Sequence, residues 1–180
     1  MPVQEGIVGP IPEGADEDEY DKRRRRALWK MPSGLYVIGS RDGDQQNLMT
    51  ANWVTQVSFD PKLVGVSVEN EALTHRLIRA GRVFSVNIID RDDRAIVRKF
   101  TKPVEVDLAA RTLNGFPFHA GRTGAPILDQ AVAYIDCEVR HEVDVGNHTL
   151  FLGEIVDTAF QKSEDIEVLR MEDTRMNYGG

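Results

Sequence analysis

The residues best able to do chemistry concentrate in positions 47–61, where hydroxyl and amide side chains interrupt a pattern that otherwise indicates a β-strand. A strand that serves only a core carries aliphatic side chains, because a buried polar group costs free energy until it finds a hydrogen-bond partner. We therefore interpret this stretch as a strand that also lines a polar ligand. Its residues are Asn-Leu-Met-Thr-Ala-Asn-Trp-Val-Thr-Gln-Val-Ser-Phe-Asp-Pro.

Covalent hydrolysis and metal binding lack their usual sequence patterns. No Gly-x-Ser-x-Gly elbow occurs, and no Cys/His cluster has the spacing of a zinc or iron-sulfur site. The single cysteine, Cys137, alternates with its neighbours as a strand residue does, so we predict a buried and inert thiol. No catalytic dyad emerges from the sequence, and the candidate residues point to binding.

A chain of 180 residues fits one domain with a sizeable core. The formal net charge of -7 argues against general nucleic-acid binding, which needs a concentrated basic face. No apolar run approaches the roughly 20 residues of a membrane-spanning helix, and the N-terminus lacks the basic start and apolar centre of a signal peptide. We expect a cytoplasmic protein that binds neither nucleic acid nor membrane.

Strand patterns dominate from Leu35 onward, and turn residues separate the runs. The turn signals are Asp42-Gly43, Asp60-Pro61 and Val145-Gly146-Asn147. This alternation predicts a mainly β fold, an antiparallel barrel with short helices. Runs 49–59 and 63–69 are predicted as adjacent central strands. The strand runs are 35–39, 49–58, 63–69, 83–89, 131–143 and 149–158.

Two short helical patterns interrupt the strands. In the first, Leu73 and Leu77 share one face and Gly81 is placed to end the helix. In the second, Asp92 or Asp93 would cap the N-terminus. The residues of the second helix that we expect to pack inward are Ile96 and Phe100.

Residues 1–27 differ in composition from the rest, with Pro and Gly first, then an acidic run, then four consecutive arginines. The interpretation favoured by this composition is a solvated or disordered arm. The alternative is a short helix that covers a partner, because three acid-then-base pairs fall at i,i+4 spacing. Those pairs are Asp18/Lys22, Glu19/Arg23 and Asp21/Arg25.

The order of several short segments resembles the flavin reductase-like family, the FMN-binding split barrels that include flavoredoxins and the reductases of two-component monooxygenases. The resemblance covers residues 29–160, with a weaker match near 169–178. It divides the chain into an N-terminal arm (1–27), a split-barrel domain (28–160) and a C-terminal segment (161–180) that packs on the barrel or on a dimer seam. The segments are Met-Pro-Ser-Gly-Leu-Tyr-Val-Ile (31–38), Met-Thr-Ala-Asn-Trp (49–53), Ser-Phe-Asp-Pro (58–61), Phe-Ser-Val-Asn (84–87) and Gly-Asn-His-Thr-Leu-Phe-Leu-Gly-Glu (146–154).

In the family, two neighbouring strands line the flavin. By position the resemblance therefore implies a wall that includes Ala51, whose small side chain allows close approach. The alternatives are an ordinary outward strand position for Thr50 and Asn52, and a core position for Trp53. The flavin-lining residues implied in this way are Met49, Thr50, Ala51, Asn52, Trp53, Ser67 and Val68.

The resemblance also implies a phosphate contact near Thr74, where a helix N-terminus can supply N-H donors. His75 and Arg76 are possible helpers. The family often has a basic residue just before this threonine, whereas this chain has Ala72 and Leu73. A cation for the phosphate has to come from elsewhere in the chain, or be absent.

Two further residues complete the implied site. Asn87 either lines the flavin pocket or bonds across to a neighbouring strand, since a buried Asn needs partners. His148 corresponds to a family segment beside the nicotinamide nucleotide, although Asn147 stands where Asp is usual. The alternative for His148 is a solvent-facing turn residue.

The resemblance implies an FMN-dependent NAD(P)H oxidoreductase that passes hydride to the flavin and electrons to a second acceptor, without a dedicated catalytic acid or base. It further implies a homodimer, a monooxygenase or other electron-accepting partner, and a C-terminal aromatic residue, Tyr178, that closes over the flavin or the dimer seam. The alternative for this C-terminal segment is simple fraying. One alternative is a flavoredoxin-like electron carrier with no nicotinamide site. Another is a related split barrel that binds haem or oxidises a different small molecule.

Overall fold

A computed structural model describes residues 9–102 and 104–174. Its body is a seven-stranded antiparallel sheet in the order β2-β1-β5-β10-β11-β4-β3. A second, four-stranded sheet runs β6-β7-β8-β9. The strands are β1 (Tyr36–Asp42), β2 (Gln45–Ala51), β3 (Val54–Phe59), β4 (Lys62–Glu69), β5 (Val83–Ile88), β6 (Val106–Asp107), β7 (Thr112–Leu113), β8 (Phe116–Ala120), β9 (Pro126–Leu128), β10 (Ala133–Asp144) and β11 (His148–Phe160).

The large sheet curls so that its two edges approach each other. β2 and β3 lie at opposite edges, yet only Asn52 and Trp53 separate them in the chain. The carbonyl of Trp53 accepts a hydrogen bond from the N-H of Ser67 on β4 at 3.0 Å, which ties this two-residue link to the far side of the sheet. All strand pairs of the large sheet are antiparallel, and β2 and β3 approach each other at this link without pairing. A curled antiparallel sheet that is open at one seam is a split barrel, so the predicted fold is confirmed.

The single strand predicted at 49–58 is wrong, because the chain forms two strands there. The N-H of Val54 bonds back to the carbonyl of Asn52 at 3.0 Å, and this tight turn redirects the chain. β3 does pair with β4, as predicted, but it forms the edge of the sheet and is not central. The short Asp60-Pro61 connection between them is a cis peptide.

The small sheet was not predicted, because its strands are two to five residues long and too short to show a period. It packs on the large sheet where β9 meets β1 and β5. The hydroxyl of Ser85 donates to the carbonyl of Pro126 at 2.6 Å, and a Cβ at Gly39 would lie 2.2 Å from that same oxygen. Gly39 therefore permits the two sheets to touch.

Apolar residues form two clusters. One fills the barrel interior under the helix Leu73–Gly81 and includes Cys137, which is fully buried as predicted. Burial raises the pKa of the Cys137 thiol to about 12, and the neighbouring Asp136 adds to the shift. The other cluster lies between the large sheet, the small sheet and the segment at Ile96–Phe100, and it includes Leu169. The C-terminal segment up to residue 174 thus packs on the barrel, whereas Tyr178 lies outside the described residues.

The segment Glu17–Leu28 is a helix, α1, so these residues are ordered and the helical part of the alternative is correct for them. That α1 covers a partner stays a prediction. Asp16 caps it by accepting from the N-H of Glu19 at 2.9 Å. Of the three acid-then-base pairs expected at i,i+4 spacing, Asp21 and Arg25 form one at 3.4 Å. No residue of α1 is buried, so this helix contributes little to the core.

The second helix, α2 (Leu73–Gly81), differs from the prediction in two ways. Leu77 is buried, but Leu73 is 42% exposed. The helix does end at Gly81, but the residue that adopts the left-handed conformation is the next one, Arg82, with φ 59°. Gly81 serves packing instead, because a Cβ there would lie 1.8 Å from the carbonyl oxygen of Arg41 on β1.

The segment predicted as one helix after β5 forms two 3-10 helices, Arg91–Asp93 and Ile96–Phe100. Ile96 and Phe100 pack inward as expected. The cap is Asp90 and not Asp92 or Asp93, because the Asp90 carboxylate accepts from the N-H of Asp92 at 3.0 Å.

The cross-strand alternative for Asn87 is correct, because its polar atoms bond to residues of other strands. Its amide donates to the carbonyl of Val37 at 3.0 Å and to the Ser85 hydroxyl at 3.3 Å. Its side-chain oxygen accepts from the N-H of Leu128 at 2.7 Å. One fully buried side chain therefore joins β5 to β1 and β9.

Replacing Asn87 with Ala should lower the free energy of unfolding by about 2 to 6 kcal/mol, because it leaves two buried backbone groups unpaired at about 1 to 3 kcal/mol each. Chemical denaturation of the ligand-free protein measures the change. Asn52→Ala is the matched control, since no hydrogen-bond partner of the Asn52 side chain occurs among residues 9–102 and 104–174. Equal losses in both variants would show that the Asn87 bonds do not hold the sheets together.

Candidate functional site

A cavity of about 530 Å³ lies where the two edges of the barrel meet. Strands β2 and β4, the link between β2 and β3, the start of α2 and the end of the 3-10 helix Ile96–Phe100 form its walls. Nine of the ten residues expected at the site line it, and Asn87 is the exception. Those nine are Met49, Thr50, Ala51, Asn52, Trp53, Ser67, Val68, Thr74 and His148.

One wall of the cavity is held in place by Thr50. Its hydroxyl donates to the carbonyl of Val97 at 2.5 Å, and its side chain is buried. The outward alternative for Thr50 is therefore wrong. This bond clamps the 3-10 helix onto β2 and brings Phe100 to the cavity beside Ala51. The apolar surface there suits a flat aromatic ring.

A polar strip crosses the cavity near the link. Ser67 and Asn52 line it, and neither side chain has a hydrogen-bond partner within the part of the chain that the structure describes. Both are only partly exposed. They can therefore supply hydroxyl and amide groups to a ligand without giving up bonds to the protein.

Thr74 is the most constrained polar group of the site. Its hydroxyl oxygen accepts from the amide of Asn47 at 2.8 Å, and its side chain is 1% exposed. Because Asn47 uses the acceptor side, the hydroxyl proton is left to donate, and no acceptor for it occurs among the described residues. A buried donor of this kind favours a negatively charged ligand atom.

The N-terminus of α2 faces the same end of the cavity. Its cap residue, Ala72, offers no side-chain hydrogen bond, so the N-H groups of the first turn lack a protein cap. Lys102 lines the cavity as well and brings a positive charge. It is the candidate for the cation that the residues before Thr74 do not provide. Together these groups form an environment for an anion.

His75 and Arg76 do not assist at this end, although the sequence suggested them, because neither lines the cavity. His75 is buried on a different side of α2, where its Nε2 and the Thr149 hydroxyl are hydrogen-bonded at 2.9 Å. Burial lowers the pKa of His75, and the nearby Arg79 guanidinium lowers it further, so its neutral form is favoured.

Trp53 and His148 stand together at the rim, with ring centroids 4.9 Å apart and planes inclined by 55°. Trp53 is 45% exposed, so its core alternative is wrong. Nδ1 of His148 donates to the side-chain oxygen of Asn147 at 2.8 Å. Because an amide oxygen only accepts, this bond fixes the proton on Nδ1 and orients the ring, even though Asn147 carries no charge.

Several lining residues were missed from the sequence, and they fall into two groups. Most are neighbours of predicted residues and follow once β2, β4 and α2 are placed. Phe100, Thr101 and Lys102 had no local signal, because the Thr50 to Val97 bond brings them to the cavity across nearly fifty positions. The missed residues are Asn47, Leu48, Glu69, Ala72, Leu73, Phe100, Thr101 and Lys102.

Among residues 9–102 and 104–174, no group of three or more His, Cys, Asp or Glu side chains is arranged to hold a metal ion. Over the same residues, no helix has the length and apolar character needed to cross a membrane.

Comparison with known proteins agrees with this geometry. Residues 28–180 match the model of the flavin reductase like domain. The ferric-chelate reductase (NAD(P)H) of Archaeoglobus fulgidus is 34% identical over 151 residues, which cover 82% of this chain and 86% of that protein.

Two solved structures share the fold over most of their length. The NADH:FAD oxidoreductase SgcE6 of Streptomyces globisporus C-1027 has a TM-score of 0.73 and 28% identity, covering 89% of this chain and 93% of the other. An FMN-binding protein from Thermus thermophilus has a TM-score of 0.66 and 28% identity, covering 88% of this chain and 80% of the other.

Some relatives are much longer than this chain. It spans 58% of the high molecular weight rubredoxin of Moorella thermoacetica, at 32% identity over 138 residues. It spans 25% of the diflavin flavoprotein A 1 of a Synechocystis species, at 29% identity. The family model covers most of the chain, and a relative of 34% identity is matched over most of its length, so the chain belongs to the flavin reductase like domain family.

Proposed function

We propose that the chain is an FMN-dependent NAD(P)H oxidoreductase, a flavin reductase. The observation that carries this is the cavity itself, which combines the three surfaces that FMN needs. Apolar β2 and β4 residues around Ala51 and Val68 would hold the ring, and Asn52 and Ser67 would bond its polar edge and the ribityl chain. Bound there, FMN would supply hydride acceptance and electron release, which no side chain of the site can supply.

The phosphate end of the cavity favours FMN over riboflavin. Thr74 has a buried hydroxyl proton to donate, the first turn of α2 offers N-H groups, and Lys102 adds a positive charge. Hydrogen bonds to a charged group are about twice as strong as neutral ones. These groups stabilise a bound dianionic phosphate. Riboflavin has no phosphate and therefore does not form these interactions.

The rim supports a second ligand laid over the first. Trp53 presents a half-exposed aromatic face, and the His148 ring beside it is held by Asn147. A nicotinamide ring can stack and hydrogen-bond at such a rim. The chain's part in the reaction is then to hold two flat rings together and to exclude water, which needs no dedicated acid or base.

A second candidate function is that of an FMN-binding electron carrier without a nicotinamide site. The lengths of the relatives favour it: in the high molecular weight rubredoxin and the diflavin flavoproteins, the matched region is one part of a longer chain. In either function the electrons leave to a separate acceptor, a monooxygenase or another redox protein.

Steady-state oxidation of NADH or NADPH by the FMN-loaded chain separates the two functions. A reductase oxidises the nucleotide, whereas an electron carrier without a nicotinamide site does not.

A homodimer is also part of the proposal. The edge strand β3 exposes Phe59 at 85% and Val57 at 44%, and such an apolar edge invites pairing or cover. Val57 lies over Gly65, where Leu150 also approaches, so the apolar surface continues across three strands.

Sedimentation at micromolar concentration should give twice the monomer mass, because the apolar edge is covered in a dimer. A monomer that still binds flavin would contradict the homodimer.

Thr74→Ala should weaken FMN binding by about 1 to 2 kcal/mol, because it removes a hydrogen bond to a charged group, and should leave riboflavin binding nearly unchanged. Titration by flavin fluorescence measures both affinities. Thr74→Ser, which keeps the hydroxyl, is the matched control and should bind FMN within about threefold of the wild type. Equal weakening of FMN and riboflavin by Thr74→Ala would place the phosphate elsewhere.

His148→Ala should raise the KM for NAD(P)H by about three- to tenfold, the value of one hydrogen bond, while the Kd for FMN stays constant. Initial rates with saturating FMN give the KM. His141→Ala changes an exposed histidine of β10 that lies outside the cavity, and it should leave KM unchanged. If His148→Ala shows wild-type NAD(P)H kinetics, His148 serves the turn alone and the electron-carrier function gains support.

A further inference from the structure

The outer side of the cavity wall carries a ridge of positive charge on a chain that is acidic overall. Arg94, Arg98 and Lys99 lie on or beside the 3-10 helix Ile96–Phe100, and all three are exposed. Their hydrophobic neighbours Ile96 and Phe100 point into the core, so the cations stand outward. We call Arg94, Arg98 and Lys99 the basic ridge.

No carboxylate of residues 9–102 and 104–174 forms an ion pair with the basic ridge, although Asp173 lines the same cavity as Arg94 and Arg98. Residues 94–102 contain four basic residues and no acidic one, against a net charge of -7 for the chain. None of the three ridge residues forms an ion pair among the residues that the structure describes. The nearby Asp173 is already held by Arg91 at 2.8 Å and by the N-H of Arg170 at 3.0 Å. Elsewhere, arginines such as Arg79, Arg82 and Arg140 do form ion pairs.

The dimensions of the ridge favour a protein surface over a small anion. A 3-10 helix rises about 2 Å per residue, so Arg94 and Lys99 are separated by on the order of 10 Å along the segment. Arg94 and Arg98 line one cavity, but Asp173 lines it too, and a carboxylate there disfavours a small anion. Lys99 is exposed outside that cavity, so the positive charge extends beyond it. A surface with several carboxylates matches that spread.

The ridge is continuous with the candidate flavin site. Phe100, Thr101 and Lys102 follow it directly in the chain and line the cavity. The Thr50 to Val97 bond fixes this segment to β2, so its inner side faces the ligand and its outer side carries the charge. A partner that docks on the ridge is therefore brought next to the mouth of the cavity.

We infer that the basic ridge is the docking surface for an acidic electron-accepting protein, an inference that rests on the proposed function for the source of the electrons. A small one-electron iron carrier with an acidic surface has the required chemistry. Two carrier molecules each take one electron in successive encounters. Together they account for the electron pair of one hydride, and the proton is released to solvent. Long-range attraction between the opposite charges raises the association rate and weakens with salt.

The test uses the FMN-loaded protein and a rubredoxin as the acidic carrier. The variant R94E/R98E reverses two ridge charges outside the cavity. The control R23E/R26E makes the same net charge change on exposed arginines of α1. Biosensor measurements give the association rate at about 20 and 300 mM salt. Stopped-flow spectroscopy gives the rate at which the photoreduced protein reduces the carrier.

We expect R94E/R98E to lower both rates at low salt by about tenfold or more, with the loss shrinking severalfold at high salt, and to leave reduction of a neutral quinone unchanged. The control should fall by less than about threefold. Lys99→Glu alone, a single exposed change, should lower the association rate by about threefold and covers the case in which the double variant folds poorly.

The inference is overturned if R94E/R98E behaves like its control, if the wild type shows no association with the carrier at low salt, or if a short DNA duplex binds the ridge more tightly than the carrier does. Photoreduction keeps this result separate from the proposed function, because it loads electrons without a nicotinamide. A protein that oxidises no NAD(P)H would contradict the reductase proposal and would leave the docking measurement valid.

Discussion

The hydrogen bond from the Ser67 N-H to the Trp53 carbonyl, 3.0 Å long, is the contact on which the candidate site depends. It holds the two-residue link between β2 and β3 against β4, although β2 and β3 occupy opposite edges of the sheet. An open sheet would keep the two walls far apart. Curling the sheet until its edges meet at this link creates a cavity that neither edge could form alone, and Asn52 and Ser67 line it.

Around that junction some polar side chains support the fold, and others have no partner in the described chain and can bind a ligand. Asn87 and Thr50 form hydrogen bonds with the backbones of other strands and of the 3-10 helix, and these bonds hold the two sheets and the cavity wall in place. Thr74, by contrast, keeps a buried proton without an acceptor in the described chain, and the start of α2 lacks a side-chain cap. Such unsatisfied donors cost stability in a ligand-free protein, and a bound phosphate would recover that cost.

The parts of the fold that rest on local signals could be predicted from the sequence, and the parts that rest on long-range contacts could not. The alternation of apolar residues and the turn residues placed most strands of the barrel, and nine of the ten expected site residues line one cavity. The break at Asn52 and Trp53 was missed because the residues on both sides favour strands.

Asn87 illustrates why long-range contacts could not be predicted. The sequence indicated that Asn87 is buried, but it did not indicate whether the side chain bonds to a ligand or to Leu128. That depended on β9, a strand of three residues with no periodic signal. Lys102 was missed for a similar reason, since only the Thr50 to Val97 bond brings its segment to the site.

A crystal structure of the protein with FMN shows whether this cavity holds the flavin with its phosphate at the start of α2, as we propose. We expect the ring between the β2 and β4 walls, and the phosphate within hydrogen-bond distance of the Thr74 hydroxyl and the first-turn N-H groups of α2. The Asn47 to Thr74 bond should persist, because it leaves the hydroxyl proton free to donate. FMN bound with its phosphate away from α2, or an empty cavity in crystals of a protein that titrates stoichiometrically with FMN, would rule out this placement.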